Sequence, residues 1–194
     1  IKYYSKNLKT WMQPDKRHVN PTHLPAKAWV QYQPLGVVGV ITPWNYPLLL
    51  AISPLICALA AGNRVMIKMS SFTPKTGAIV KQALAEAFSE DQVAVITGGG
   101  VVSDAFSRLP FNQMTFTGST NVGRTVMAAA AENLTPVLLE LGGKSPAIIH
   151  SSMPMKDAAE KLAFGKCWNA GQTCVAPDYV FIPKGKTAEF VASM

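Results

Sequence analysis

Three residue types suited to acyl chemistry stand where this chain would expose them. Cys174 lies in Asn169-Ala170-Gly171-Gln172-Thr173-Cys174, a small polar loop after a helical stretch. A nucleophilic thiol needs solvent access and a lowered pKa, and a polar loop supplies the access. A lone loop cysteine is nevertheless more often inert than catalytic. Glu140 ends an apolar run and is followed by Leu141-Gly142-Gly143-Lys144. A carboxylate at the C-terminal end of a strand points into the crevice where α/β folds place ligands; the competing reading is a surface salt bridge to Lys144. Asn45 sits in the proline-stiffened turn Pro43-Trp44-Asn45-Tyr46-Pro47. A fixed amide there can donate to an oxyanion, although Asn is common in turns for backbone reasons alone.

A fourth motif concerns phosphate. Gly118-Ser119-Thr120-Asn121-Val122-Gly123 follows a strand pattern and opens a helical one. Backbone N–H groups and the helix dipole favour an anion at such a junction. The middle glycine of the GxGxxG fingerprint is absent, so a plain glycine turn with a serine cap remains open. His18, His23 and His150 have no metal-ligand spacing, and no metal is expected. Cys57, inside an apolar helical run, and Cys167, on the helix before the Cys174 loop, are expected to be core residues.

These side chains need a scaffold, and apolar runs alternating with helical patterns specify a parallel α/β sheet. Val37–Ile41, Val65–Lys68, Val93–Thr97, Gln113–Thr117, Val137–Glu140, Ala147–Ile149 and Tyr179–Ile182 read as strands. Helices are predicted over Pro47–Ala61, stopped by Gly62-Asn63, over Pro74–Phe88, after a turn at Gly118 through Ala131, over Met155–Asn169 and from Thr187 onward. His18–Pro25 reads as a loop and Ala28–Gln33 as part of an edge hairpin.

Composition excludes several classes. The hydrophobic fraction is 48% and the charged fraction 15%, which suits a chain with a real core. The net charge of +7 is uneven: six basic side chains against Asp15 give residues 1–27 a charge of +5, while 12 basic and 10 acidic side chains leave +2 on the rest. A basic leading arm without a recognition motif is read as a solvated or subunit-facing segment, not a nucleic-acid reader. The uncharged stretch between Lys27 and Arg64 is broken by Pro34, Pro43, Pro47 and Pro54, so no membrane span is expected. No secretory leader is expected in the first 27 residues. Three widely spaced cysteines suit a reducing compartment, here the cytoplasm.

Taken together, Pro43-Trp44-Asn45, Lys68, Phe116-Thr117-Gly118-Ser119-Thr120, Glu140-Leu141-Gly142-Gly143-Lys144-Ser145-Pro146 and Gly171-Gln172-Thr173-Cys174 resemble the aldehyde dehydrogenase superfamily. They occur in the family's order, and the resemblance covers essentially the whole chain. Through Trp29–Gly36 and Cys174–Tyr179 the likeness is to the coniferyl aldehyde dehydrogenases and their fatty-aldehyde relatives.

The resemblance implies a Rossmann-like parallel-sheet cofactor domain, residues 1–142, with an oligomerisation-type hairpin at 16–34. It implies the first part of a catalytic domain over 143–194. It makes Cys174 the nucleophile, Asn45 an oxyanion donor and Glu140 the activator of water. Pro43, Trp44, Lys68, Ser71, Gly98, Phe116, Gly118, Ser119, Val122, Leu141 and Gly142 would bind NAD or NADP. Trp168 and Tyr46 would stand near the substrate entrance, suiting a bulky aromatic or long apolar aldehyde such as coniferyl aldehyde. A homodimer is the expected assembly. The family's catalytic domain is longer, so the chain is expected to be a fragment, inactive alone. Many relatives carry Glu three residues after the lysine; here that position is Ser71, which favours acceptance of NADP. Two rival readings are a non-catalytic nucleotide-binding remnant and a subunit-interaction fragment. A CoA-acylating relative is a third, and Glu140 argues against it.

Overall fold

The computed structural model describes residues 1–194, which divide into two compact units. The first comprises Ile1–Thr117 and Arg124–Leu139, the second Gly118–Gly123 and Glu140–Met194.

In the first unit a helix, α1 (Lys2–Trp11), precedes an antiparallel pair, β1 (Asp15–Arg17) with β2 (Ala28–Val30), in which Lys16 faces Trp29. The chain then alternates β3 (Val37–Ile41), α2 (Leu49–Ala60), β4 (Arg64–Lys68), α3 (Pro74–Ala87), β5 (Val93–Ile96), α4 (Gly100–Ser107), β6 (Gln113–Gly118), α5 (Thr120–Ala131) and β7 (Val137–Leu141). The sheet order is β5-β4-β3-β6-β7. The chain therefore winds outward from β3, then returns to β3's other side and winds the opposite way. A reversal of this kind opens a crevice at the carboxyl ends of the two central strands.

The strands form where short β-branched runs can be covered on both faces. Val38, Val40, Val65, Ile67, Val93 and Val95 are buried with Ala51, Leu55, Ala58 and Val80 from the covering helices. Gly39 is required by close approach, since a Cβ there would lie 2.7 Å from the Phe111 ring. After α2 the chain turns at Gly62, φ +81°, and Asn63 fastens the turn. Its side-chain oxygen accepts from the Leu35 and Gly36 N–H groups, and its amide donates to the Ala58 carbonyl.

In the second unit β8 (Ser145–Ile148) and β9 (Pro177–Phe181) are parallel neighbours linked by α6 (Met155–Cys167) and a 3-10 turn, Trp168–Gly171. A final helix, α7 (Thr187–Ser193), packs with α6; Met155, Ala158, Ala159 and Phe190 are buried between them.

The alternation of strands and helices matches the sequence pattern, with four corrections. Helix α1 was not expected, and it contributes no buried residue. Helix α4 was not expected either, since it starts directly on Gly98-Gly99-Gly100, which reads as a turn. Cys57 is exposed and not core: α2 buries Ala51, Leu55 and Ala58 along one stripe, and Cys57 lies off it with its Sγ 2.7 Å from the Tyr4 hydroxyl. Cys167 is exposed as well, at the end of α6, whose buried residues lie in its first two turns. No helix is long and apolar enough to cross a membrane.

Candidate active site

Register places the first set of expected residues. Ile41 pairs with Lys68 and with Phe116, and Lys68 pairs with Ile96, so β3, β4 and β5 end in one row and β6 runs two residues past it. The segments that follow leave the same edge: Pro43-Trp44-Asn45 after β3, Met69-Ser70-Ser71 after β4, and Thr97-Gly98 after β5. Trp44 is 46% exposed there, whereas Pro43 and Asn45 are half-buried. Gly98, with φ +144° and its Cβ position 2.6 Å from Val102, holds a conformation that only glycine adopts without strain.

Two of the expected cofactor residues are more enclosed than their proposed roles suggest. Phe116 is 3% exposed and Lys68 only 2%. The Lys68 ammonium donates to the Met69 carbonyl at 2.8 Å, and burial pushes its pKa below the usual lysine value. Ser71 is exposed, while neighbouring Ser70 accepts the Phe72 N–H at 3.3 Å.

The second unit holds the remaining residues. Ser119 caps α5: its hydroxyl accepts the Val122 N–H at 3.4 Å and its carbonyl the Gly123 N–H at 2.9 Å. Gly118, Ser119 and half-exposed Val122 thus form an exposed strand-to-helix junction.

Strands β8 and β9 are parallel and both start at the same end, so the segments entering them meet there. One brings Glu140-Leu141-Gly142-Gly143-Lys144 out of β7, and the other brings Thr173-Cys174-Val175-Ala176 out of the 3-10 turn. A Cβ on Gly143 would lie 3.6 Å from the Cys174 carbonyl oxygen. Glu140 and Cys174 are both exposed. Lys144 pairs with Asp178 at 3.2 Å and not with Glu140, so the salt-bridge reading of Glu140 does not hold.

The cysteine turn is preceded by an unusual backbone. Asn169 (φ 51°, ψ 37°), Ala170 (φ 56°, ψ 30°) and Gly171 (φ 76°) are three consecutive left-handed residues. The Gln172 N–H donates to the Asn169 carbonyl and closes this turn at 3.1 Å. Left-handed backbone costs a non-glycine residue about 1–2 kcal/mol, and such strain concentrates at functional sites. Next, the Ala176 N–H donates to Thr173 at 3.1 Å, which leaves Cys174 inside a tight turn. The sequence showed a loop here, but not its handedness. It also gave no notice that Asp178 is the partner of Lys144; Pro146 and Pro177, which weaken strand pairing, were the available signal.

A doubly wound parallel sheet with its carboxyl edge lined by loops, and a turn-held cysteine beside a glycine strap, define a protein of the α/β class. Residues 1–194 match the family model for the aldehyde dehydrogenase family. The chain belongs to the aldehyde dehydrogenase family. It is 64% identical over 192 residues to a "Probable coniferyl aldehyde dehydrogenase" of Pseudomonas aeruginosa, covering 99% of this chain and 40% of that one. A substrate-bound Staphylococcus aureus AldH superposes with a TM-score of 0.94 at 41% identity, covering 99% of this chain and 42% of that one. A Mycobacterium tuberculosis aldehyde dehydrogenase complexed with NAD+ superposes with a TM-score of 0.88 at 35% identity, covering 99% and 39%. The chain thus spans about two fifths of the length of the relatives it matches.

Proposed function

We propose that this protein oxidises an aldehyde to a carboxylic acid with NAD or NADP, through a thioester on Cys174. The observation that carries this reading is the approach of the Gly143 backbone to the Cys174 carbonyl. It sets an exposed thiol and the strap that follows Glu140 at one end of a single strand pair.

The residues fit a dinucleotide. The sheet reverses at β3 and β6, Gly98 offers a backbone free of Cβ, and α5 starts at an exposed junction capped by Ser119. We assign Pro43, Trp44, Lys68, Ser71, Gly98, Phe116, Gly118, Ser119, Val122, Leu141 and Gly142 to its binding. When bound, the nicotinamide accepts a hydride.

The chain's own residues perform the remaining work. The Cys174 thiolate adds to the aldehyde carbon, and the amide of Asn45 with the Cys174 N–H donates to the oxyanion. The carbon–hydrogen electron pair departs as hydride, leaving a thioester on Cys174. Glu140 then takes a proton from water, whose oxygen attacks the thioester carbonyl. The carbon–sulfur bond breaks, the acid leaves and the thiolate returns.

Trp168 and Phe164 offer exposed rings, 5.2 Å apart, just ahead of the cysteine turn. They favour an aromatic or long apolar aldehyde, and the substrate named for the Pseudomonas relative, coniferyl aldehyde, is of that kind. We assign residues 1–142 to a cofactor domain and 143–194 to the start of a catalytic domain. The 16–34 hairpin would serve a homodimer, and the free thiols suit the cytoplasm. The test is an assay of the whole protein with coniferyl aldehyde and a long alkanal, following acid and reduced cofactor together. Equal formation of both supports the reading; neither product from any aldehyde overturns it.

A further inference from the structure

Asp178 occupies a singular place in the β8–β9 ladder. Ser145 pairs with Pro177 and Pro146 with Tyr179, so Asp178 is the extra residue of a β-bulge. Bulges re-aim side chains and are enriched beside active sites. Here the bulged carboxylate meets the Lys144 ammonium at 3.2 Å. The same end of the ladder is poor in backbone donors, because Pro146 and Pro177 have no N–H. The ion pair links the two segments at that end.

What the tie holds is the strap. Lys144 is the first residue after Gly142-Gly143, two residues without side chains to pack, and a Cβ on Gly142 would touch nothing within 4 Å. Gly143 approaches the Cys174 carbonyl, and Asp178 follows Cys174 by four residues. One pair therefore joins the chain leaving Glu140 to the chain leaving Cys174. We propose that Lys144 and Asp178 form a positioning clasp that fixes the glycine strap, and through it Glu140, relative to the Cys174 thioester.

The inference rests on the thioester reading above. Its consequence is selective: addition of the thiolate to the aldehyde does not call on Glu140, whereas attack of water needs Glu140 held at the right distance. Lys144 is 80% and Asp178 33% exposed in the side chain, so the clasp acts through geometry and not through a large contribution to stability.

The experiment uses the full-length enzyme with coniferyl aldehyde and cofactor, quenched in the steady state and analysed by mass for acyl adduct on the Cys174 peptide. Asp178→Asn and Lys144→Gln should lower the steady-state rate roughly three- to tenfold, in the range of measured pair couplings. They should also raise the fraction of Cys174 carrying adduct and leave Tm nearly unchanged. The exchange Lys144→Asp with Asp178→Lys should restore turnover to within about twofold. Glu140→Gln serves as the control that accumulates adduct. Adduct in that control but wild-type rate and adduct level in the clasp variants would overturn the clasp alone. So would a rate loss that tracks Tm and is not restored by the exchange. No adduct on Cys174 even in the Glu140→Gln control would overturn the thioester reading and the clasp with it.

Discussion

The carbonyl oxygen of Cys174 stands 3.6 Å from the point where a side chain on Gly143 would begin. That spacing is ordinary van der Waals contact, so one methyl group fits, and a branched side chain brings further atoms towards the same carbonyl. In the full-length enzyme Gly143→Ala should keep most of its turnover. Gly143→Val should displace the cysteine turn and lose roughly tenfold or more in kcat, as expected for overpacking of about 1–3 kcal/mol. Steady-state kinetics with one aldehyde checks both variants.

Gly142 gives a sharper separation of folding from binding. A Cβ there would meet nothing within 4 Å, so Gly142→Val has no steric reason to destabilise the chain. If the bound cofactor lies over this residue, the same variant raises the KM for cofactor by about tenfold, with Tm unchanged. Thermal unfolding and cofactor titration together test this expectation.

The left-handed turn before the nucleophile is a reservoir of strain with a measurable sign. Ala170 adopts φ 56°, ψ 30°, where glycine rests without penalty. Ala170→Gly relieves about 1–2 kcal/mol of left-handed strain against roughly 0.5–1 kcal/mol of added unfolded-chain entropy, so it should stabilise the protein by about 0.5 kcal/mol. Ala170→Val, β-branched in a left-handed position, should destabilise it by about 1–3 kcal/mol. Denaturant unfolding of the two variants reads both.

Much of this arrangement was legible in the order of residues, and the exceptions have physical causes. The strands from Val37 to Gly118 announced themselves as β-branched runs bounded by glycine and proline, and their parallel register then fixed which loops share an edge. Cys57 was misplaced because α2 is apolar on every side, and composition cannot show which face meets the sheet; the structure seats Ala51, Leu55 and Ala58 there. Helix α1 was missed because Lys2, Lys6 and Lys9 dominate its composition, while Tyr4 and Trp11 pack only edge to face, rings 5.9 Å apart, outside the main core. The partner of Lys144 could not be read at all: four residues from Glu140 is a helical spacing, but this segment is extended, and the bulge at Asp178 decides the pairing.

The burial of Lys68 sharpens the expectation for cofactor choice. Its ammonium is turned to the Met69 carbonyl, so the exposed polar groups after β4 are Ser71 and Lys75, without a carboxylate to repel a 2′-phosphate. NADP should serve at least as well as NAD. Ser71→Glu should shift kcat/KM towards NAD by about ten- to a hundredfold, the scale of one charge-assisted hydrogen bond. A wild-type enzyme already favouring NAD a hundredfold, and unmoved by Ser71→Glu, would show that this side chain does not set the choice.

The proposed mechanism depends on Cys174 as the residue that bonds to the aldehyde carbon. The direct measurement is rapid-mixing cofactor reduction by the full-length enzyme, comparing wild type with Cys174→Ser, beside a cofactor-binding titration of both. Cys174→Ser should bind cofactor nearly as wild type does and show no reduction on addition of aldehyde. Reduction by Cys174→Ser at a rate near that of wild type would contradict the account.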